Sequence, residues 1–421
     1  MTYPTRRSLL AGLGALAAMP LPKAFAQNDA RIVIVGAGFG GSTAAKALKR
    51  LLPNASITLI DPSEQYVSCP FSNLILSGER TVADQTFSIS GWGSEGINQI
   101  TARADTVDPA SRNVILEDGA AVPYDKLILA PGVSFRWDGL EGYTPEASER
   151  MPHAWKAGPQ TVLLRRQLEE MENGGVVYMS VPAAPYRCPP GPYERASLIA
   201  HYLKTRKPRS KLIVLDSKTT FSKMPLFQYA WAELYPDHLE WISAADDGRV
   251  SRVDSRTMTL ETDFDTHATS VANVIPAQKA ATIAERSGVA DQTGWCPIDA
   301  VSFESTLQPD IHVIGDAAIA APMPKSAFSA NLQGKICAIQ IARIVAGLAP
   351  QPTRLLNTCY SYTAPGQAIS IVGAYTNDGG IFQSIEGAGG ISPLDAPSSL
   401  RAAEANQATD WFDAIISETF G

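Results

Sequence analysis

The chain is poor in histidine. It has 421 residues and only five histidines, His153, His201, His238, His267 and His312, scattered without metal-ligand spacing. We read them as ordinary core or surface residues and expect no metal site. No C-x-x-C-H occurs, so the chain carries no c-type haem of its own. There is no internal repeat, and no low-complexity segment beyond the N-terminus. Positive charge is also scarce, with 35 Lys and Arg against 42 Asp and Glu. That balance excludes nucleic acid as the expected partner and favours a basic surface on any charged one.

What is present starts with "TRRSLLAGLGALAAMPLPKAFAQ". A twin arginine, Arg6-Arg7, precedes a short apolar run that ends in Ala24-Phe25-Ala26. The run is too short to span a bilayer and is broken by Gly and Pro. It reads as a twin-arginine export signal over 1–26, cleaved after an A-x-A site, with a periplasmic destination. The signal holds three positive charges and no negative one, so the remainder carries −10 against −7 for the whole. Five cysteines are an odd number for an exported protein, so one is free or bonds to something other than cysteine.

Next comes "RIVIVGAGFGGSTAAKALKRLLPNASITLID". Ile32–Val35 reads as a buried parallel strand, and a helical pattern runs through Ala44, Leu48 and Leu51. A second strand over Ile57–Ile60 ends at Asp61. Gly36 makes the tight turn, Gly38 admits the pyrophosphate and Gly41 lets helix and strand pack. The helix N-terminus offers N–H donors to phosphate, and Asp61 accepts from ribose hydroxyls. Strand, glycines, helix, strand and acid in register indicate a dinucleotide.

The second half repeats the pattern without the cradle. Strand Val176–Met179, a helix over about 193–203 and strand Leu212–Leu215 outline another βαβ unit. Its turn holds Pro182, Pro185, Pro189, Pro190, Pro192 and Cys188 in place of glycines. Each proline removes a backbone N–H, so the phosphate donors are missing and NAD(P)H is not expected there. Asp216 occupies the place of a ribose-binding acid but lacks the cradle.

"YDKLILAPG" and "DIHVIGDAA" resemble the ATG-like and GD motifs of two-dinucleotide-domain flavoproteins, which implies FAD in the first unit and a ribityl contact from Asp316. "YVSCPFSNL", "VPAAPYRCPPGPYERA", "GWCPID", "PMPKSAFSANLQGKICA" and "NTCYSY" together resemble the flavoprotein subunit of flavocytochrome c sulfide dehydrogenase, over essentially the whole chain after the signal. Sulfide:quinone oxidoreductases share the layout. The resemblance implies FAD bound covalently through an 8α-S-cysteinyl thioether at Cys69. It implies a redox disulfide between Cys188 and Cys359, with Glu194 as a base. It also implies a separate c-type cytochrome subunit that accepts the electrons of sulfide or polysulfide. Glu194 has a second reading, a negative charge at a helix N-terminus. Lys325 is either a charge near the flavin or a solvated surface lysine. Cys337 reads as a small core residue, and Cys296 as a core thiol or a structural bond.

The expected fold is α/β, with two Rossmann-like units of the glutathione-reductase kind and a C-terminal α+β interface domain. The FAD domain is expected over 27–137 and 270–350. The second unit is expected over 138–269 and the interface domain over 351–421, ending in a helix within "DWFDAIISETF". From Ala402 the tail carries Glu404, Asp410, Asp413 and Glu418 without lysine or arginine, which fits a membrane-surface helix poorly. The expected activity is an oxidoreductase acting on a sulfur donor with cytochrome c as acceptor. The alternatives are a sulfide:quinone oxidoreductase and a non-catalytic accessory flavoprotein.

Overall fold

The computed structural model describes residues 29–421; the expected export signal lies outside the described residues. The chain opens with β1 (Arg31–Val35), α1 (Phe39–Leu51), β2 (Ser56–Asp61), β3 (Ile97–Thr101) and β4 (Lys126–Leu129). β1 is β-branched and buried at four of its five positions, as a strand covered on both faces must be. The chain then crosses through an antiparallel ribbon, Val133–Phe135 paired with Gln278–Ala280.

The second unit comprises β5 (Val176–Val181), α2 (Gly191–Arg206), β6 (Lys211–Asp216), α3 (Met224–Leu234), β7 (Leu239–Ile242) and β8 (Val271–Val274). The chain returns through β9 (Ile311–Val313) and α4 (Ala327–Val345). It finishes with β10 (Arg354–Ala364), β11 (Gln367–Thr376), β12 (Gly390–Ile391) and α5 (Ser398–Phe420). The first sheet has the order β9-β4-β1-β2-β3, and the second β7-β6-β5-β8. All pairings within these two sheets are parallel. β10 and β11 form a long antiparallel hairpin that β12 extends.

The fold is therefore α/β, with two dinucleotide-type units and a C-terminal α+β domain. Helix α1 packs on α4 at close range: a Cβ on Gly334 would lie 2.5 Å from the Gly40 carbonyl oxygen. In open parallel sheets ligands gather where the strand order reverses, beyond the strand carboxyl ends. In the first sheet that point lies between the neighbouring strands β1 and β4, and both Gly36 and the turn after β4 lie there.

Two sequence expectations change. The last helix starts at Ser398, twelve residues before Asp410, because the alanine-rich turn "LRAAEANQATD" extends it. Glu404 is a core group and not a surface charge. It is fully buried, and its Oε1 accepts from the Ser370 and Ser392 hydroxyls at 2.7 and 2.6 Å. Arg401 lies 3.4 Å from its other oxygen. Among the described residues no helix is long and apolar enough to cross a membrane.

Candidate functional site

Two glycines of the first turn have no room for a side chain. Gly36 has φ +99°, and a Cβ there would lie 2.4 Å from the Ala130 oxygen; on Gly41 it would lie 1.8 Å from the Gly36 oxygen. At Gly38 the nearest atom to such a Cβ is a ring carbon of Tyr66, at 3.4 Å. The Asp61 carboxylate accepts from the Ala37 and Ser63 amides at 2.8 and 3.0 Å, so it stands at the β2 end over the glycine turn. Asp316 lies in the turn after β9. Its Oδ1 is buried and accepts no hydrogen bond. Burial pushes the Asp316 carboxyl above its usual range, while Arg187 and Lys325 pull it down. A buried acceptor without a donor is costly unless a ligand supplies one. These residues fit an FAD, with pyrophosphate at the α1 N-terminus, ribose at Asp61 and ribityl hydroxyls at Asp316.

Cys69 follows a short strand, Gln65–Val67, in the same region. Its Sγ lies 3.9 Å from the Trp155 carbonyl oxygen. That oxygen also accepts from the Arg187 guanidinium, which acts electrostatically on Cys69, Asp316 and Cys188. Arg187 is a site residue that pattern reading passed over. It adjoins Cys188 in "YRC", and only the fold shows that it faces Cys69 and Asp316 as well.

Cys188 sits in the proline-rich turn with φ +57°, a left-handed conformation unusual for a side chain with a Cβ. Its amide donates to the Lys325 carbonyl at 2.8 Å, and its own carbonyl accepts from Gly191 at 2.8 Å. Cys359 projects from β10. Both cysteines line one cavity of about 210 Å³, together with Pro189, Pro190, Asn357 and Tyr375. None of the five cysteines is paired in a disulfide, so the Cys188–Cys359 bond that the resemblance implies is open here. Cys296 and Cys337 are fully buried, away from that cavity. A Cβ on Gly191 would lie 3.0 Å from the Cys188 Sγ and 2.9 Å from the Trp155 ring, so the indole lies beside this sulfur.

Burial pushes the Cys188 thiol well up, as do Cys359 and Glu194; Arg187 and Lys223 oppose this. Burial likewise raises Cys359, with Glu194 adding to it and Lys223 and Ser361 opposing. Glu194 stands in the first turn of α2. Its carboxylate accepts from the Tyr362 amide at 2.9 Å and from Asn73 Nδ2 at 2.8 Å. Burial raises it, and those two donors pull the other way. The ammonium of Lys325 is engaged away from solvent. It donates to the Asp316 and Ala318 carbonyls at 2.8 and 2.7 Å and lies 3.9 Å from the Trp295 ring centre. Burial lowers Lys325 to about 8.

The second nucleotide slot is filled by the protein itself. Asp216 is fully buried, and its oxygens accept from Tyr193 Oη (2.6 Å), Trp241 Nε1 (3.1 Å) and Lys218 Nζ (2.6 Å). The Tyr193 ring stacks on Phe221 with 3.6 Å between centres. A carboxylate so engaged has little capacity left for ribose hydroxyls.

Residues 161–276 match the family model described as sulfide dehydrogenase [flavocytochrome c] flavoprotein chain, central. Residues 351–420 match flavocytochrome c sulphide dehydrogenase, flavin-binding, and 30–161 match pyridine nucleotide-disulphide oxidoreductase. The sulfide dehydrogenase [flavocytochrome c] flavoprotein chain of Chlorobaculum thiosulfatiphilum is 51% identical over 45 residues, 11% of this chain and 94% of that sequence. The mitochondrial sulfide:quinone oxidoreductase of Mus musculus is 22% identical over 309 residues, 69% of this chain and 66% of that protein. The chain thus spans just under two thirds of the mouse relative's length. In fold it is similar to the sulfide:quinone oxidoreductase of Aquifex aeolicus, with TM-score 0.71, 17% identity and 92% of each chain covered. With its central and flavin-binding regions both matched, the chain belongs to the flavoprotein-chain family of flavocytochrome c sulfide dehydrogenase, and its cofactor is FAD.

Proposed function

We propose that the chain is an exported sulfide dehydrogenase that oxidises sulfide or polysulfide at Cys188 and Cys359 and delivers electrons to a c-type cytochrome subunit. The observation that carries this reading is the meeting of Cys188 and Cys359, remote in sequence, in one cavity, while the acid of the second unit is already engaged by the protein. Hydrosulfide is a nucleophile and a disulfide an electrophile. HS⁻ attacks one sulfur of a Cys188–Cys359 disulfide and the S–S bond breaks. One cysteine then carries a persulfide, and the displaced electron pair stays on the other as thiolate. Glu194 and Lys223 face both sulfurs with opposite charge. The Trp155 carbonyl meets both the Cys69 sulfur and the Arg187 guanidinium, and Arg187 directly precedes Cys188 in the turn. FAD, covalently joined at Cys69 in this proposal, supplies the acceptor for that electron pair.

Sulfide-dependent reduction of cytochrome c by the flavin-loaded protein tests the reading. Cys188→Ser and Cys359→Ser are each expected to lose activity at least about a hundredfold, as removal of a covalent catalyst does. Full activity in both variants sinks the disulfide mechanism. The fold likeness to a sulfide:quinone oxidoreductase supports quinone as a second acceptor. Reduction of a soluble quinone in preference to cytochrome c would favour that reading. No sulfide oxidation with either acceptor would leave the accessory role. Export is tested by replacing Arg6 and Arg7 with lysine, which is expected to leave the protein in the cytoplasmic fraction.

A further inference from the structure

Lys223 is one of the side chains near the cysteine pair that no sequence pattern singles out. It caps α3 in the loop that follows β6, within the unit whose nucleotide slot is filled. It has φ +62° and is only 4% exposed. Its Nζ donates to Ser361 Oγ at 2.7 Å and to the Cys359 carbonyl at 3.2 Å. Its hydrogen bonds go to neutral acceptors, and the buried Glu194 carboxylate is the charge that acts on it from α2. A buried cation beside two thiols also stands where a thiolate's negative charge would form.

Ser361 supplies the connection. It is 1% exposed and lies two residues beyond Cys359 on β10, so both side chains project from the same face. An ammonium has only donors. The Ser361 oxygen is therefore the acceptor from Lys223, and its own O–H is left to donate toward Cys359. We propose that Lys223 is a positioning residue that, through Ser361, stabilises negative charge on the Cys359 sulfur, so that Cys359 ionises before Cys188. The other groups facing the pair are Glu194 from α2, which opposes ionisation at both sulfurs, and Arg187, which acts on Cys188. Tyr375 lines the cavity from β11. Neither Glu194 nor Arg187 is joined to Cys359 through a hydroxyl on its own strand. The filled unit thus contributes a cation to the sulfur chemistry in place of a nucleotide.

This inference rests on the reading of Cys359 as a redox thiol, and its test uses neither sulfide nor an electron acceptor. The flavin-loaded protein is reduced and alkylated with iodoacetamide across a pH series. Modification at Cys359 and at Cys188 is followed separately by peptide mass spectrometry. In the parent protein Cys359 is expected to react at lower pH than Cys188. Lys223→Met is expected to raise the Cys359 midpoint by about one unit, about tenfold slower alkylation below both midpoints. Lys223→Arg is expected to keep it near the parent value. Ser361→Ala is expected to shift it in the same direction by less. An unmoved midpoint in Lys223→Met overturns the proposal, and so does an equal shift in Lys223→Arg, which marks a merely structural role. If Lys223→Met does not fold, Ser361→Ala decides, and an unmoved midpoint there overturns it too. Loss of sulfide oxidation in Cys359→Ser with no Lys223 effect would leave the proposed function standing without this inference.

Discussion

The Cys188 amide donates to the Lys325 carbonyl at 2.8 Å. The ammonium of the same lysine is bound by the Asp316 and Ala318 carbonyls. One residue therefore clips the cysteine-bearing turn of the second unit to the Asp316 turn of the first. The prolines limit the turn's own freedom, and this clip sets where it sits. Cys188 thereby keeps its place beside Asp316, although the two are carried by different sheets.

Gly41→Ala tests the cradle. The added Cβ would meet the Gly36 oxygen at 1.8 Å, and backbone cannot retreat as a side chain can. The expected outcome is a loss of about 3 kcal/mol or more in stability, at the top of the overpacking range. Flavin absorbance per mole of protein should fall to a small fraction of the parent. A variant that keeps its full flavin would show that the turn relaxes more than its geometry allows.

Cys69→Ser tests the proposed thioether. After acid precipitation the parent protein should retain its yellow colour in the pellet, while the variant should release it to the supernatant. Colour wholly in the supernatant for the parent would rule out attachment at Cys69.

Asp216→Ala separates structure from cofactor binding. The change leaves Lys218, Tyr193 and Trp241 without their shared acceptor in a buried site. Breaking one side of a buried ion pair costs about 3–5 kcal/mol, which urea unfolding would register. NADH should reduce the flavin of neither protein. Rapid reduction by NADH in the parent would mean that the filled slot still opens.

Acid stability follows from a buried histidine. His312 is fully buried, and Nδ1–H donates to the Ser302 carbonyl at 2.8 Å. Burial depresses it from 6.5 to about 4. Between those values the unfolded chain binds a proton and the native chain does not. Stability is therefore intact above about 6.5 and falls as pH drops toward 4. The loss amounts to about 3 kcal/mol across that window. His312→Asn keeps a donor near the Ser302 carbonyl and should flatten the slope between pH 6.5 and 4 in thermal unfolding. An unchanged slope would assign the acid sensitivity to other groups, His153 first, which burial depresses to about 3.

The first unit was readable because its signals are local. Gly36, Gly38, Gly41 and Asp61 lie within one βαβ stretch, and β1, α1 and β2 stand where that stretch places them. The missing glycines around Cys188 were equally plain, since a proline lacks an N–H wherever it folds. The far partners were less accessible. The grouping of Cys188 with Cys359 came from resemblance, and nothing in their spacing requires it. Arg187, Lys223, Ser361 and Trp155 carried no pattern at all. Glu404 looked like one acid in an acidic tail until Ser370 and Ser392 enclosed it.

By itself the amino-acid sequence determined the α/β class, the dinucleotide cradle and the loss of a second one. These depend on backbone freedom and hydrophobic period, which each short segment carries in full. Only the tertiary structure decided which charges face the sulfurs. Lys223, Glu194 and Cys359 come from a loop, a helix and a strand far apart in the chain, and Coulomb interactions depend on distance in space. Their effect exists only where folding brings them together in a site shielded from water.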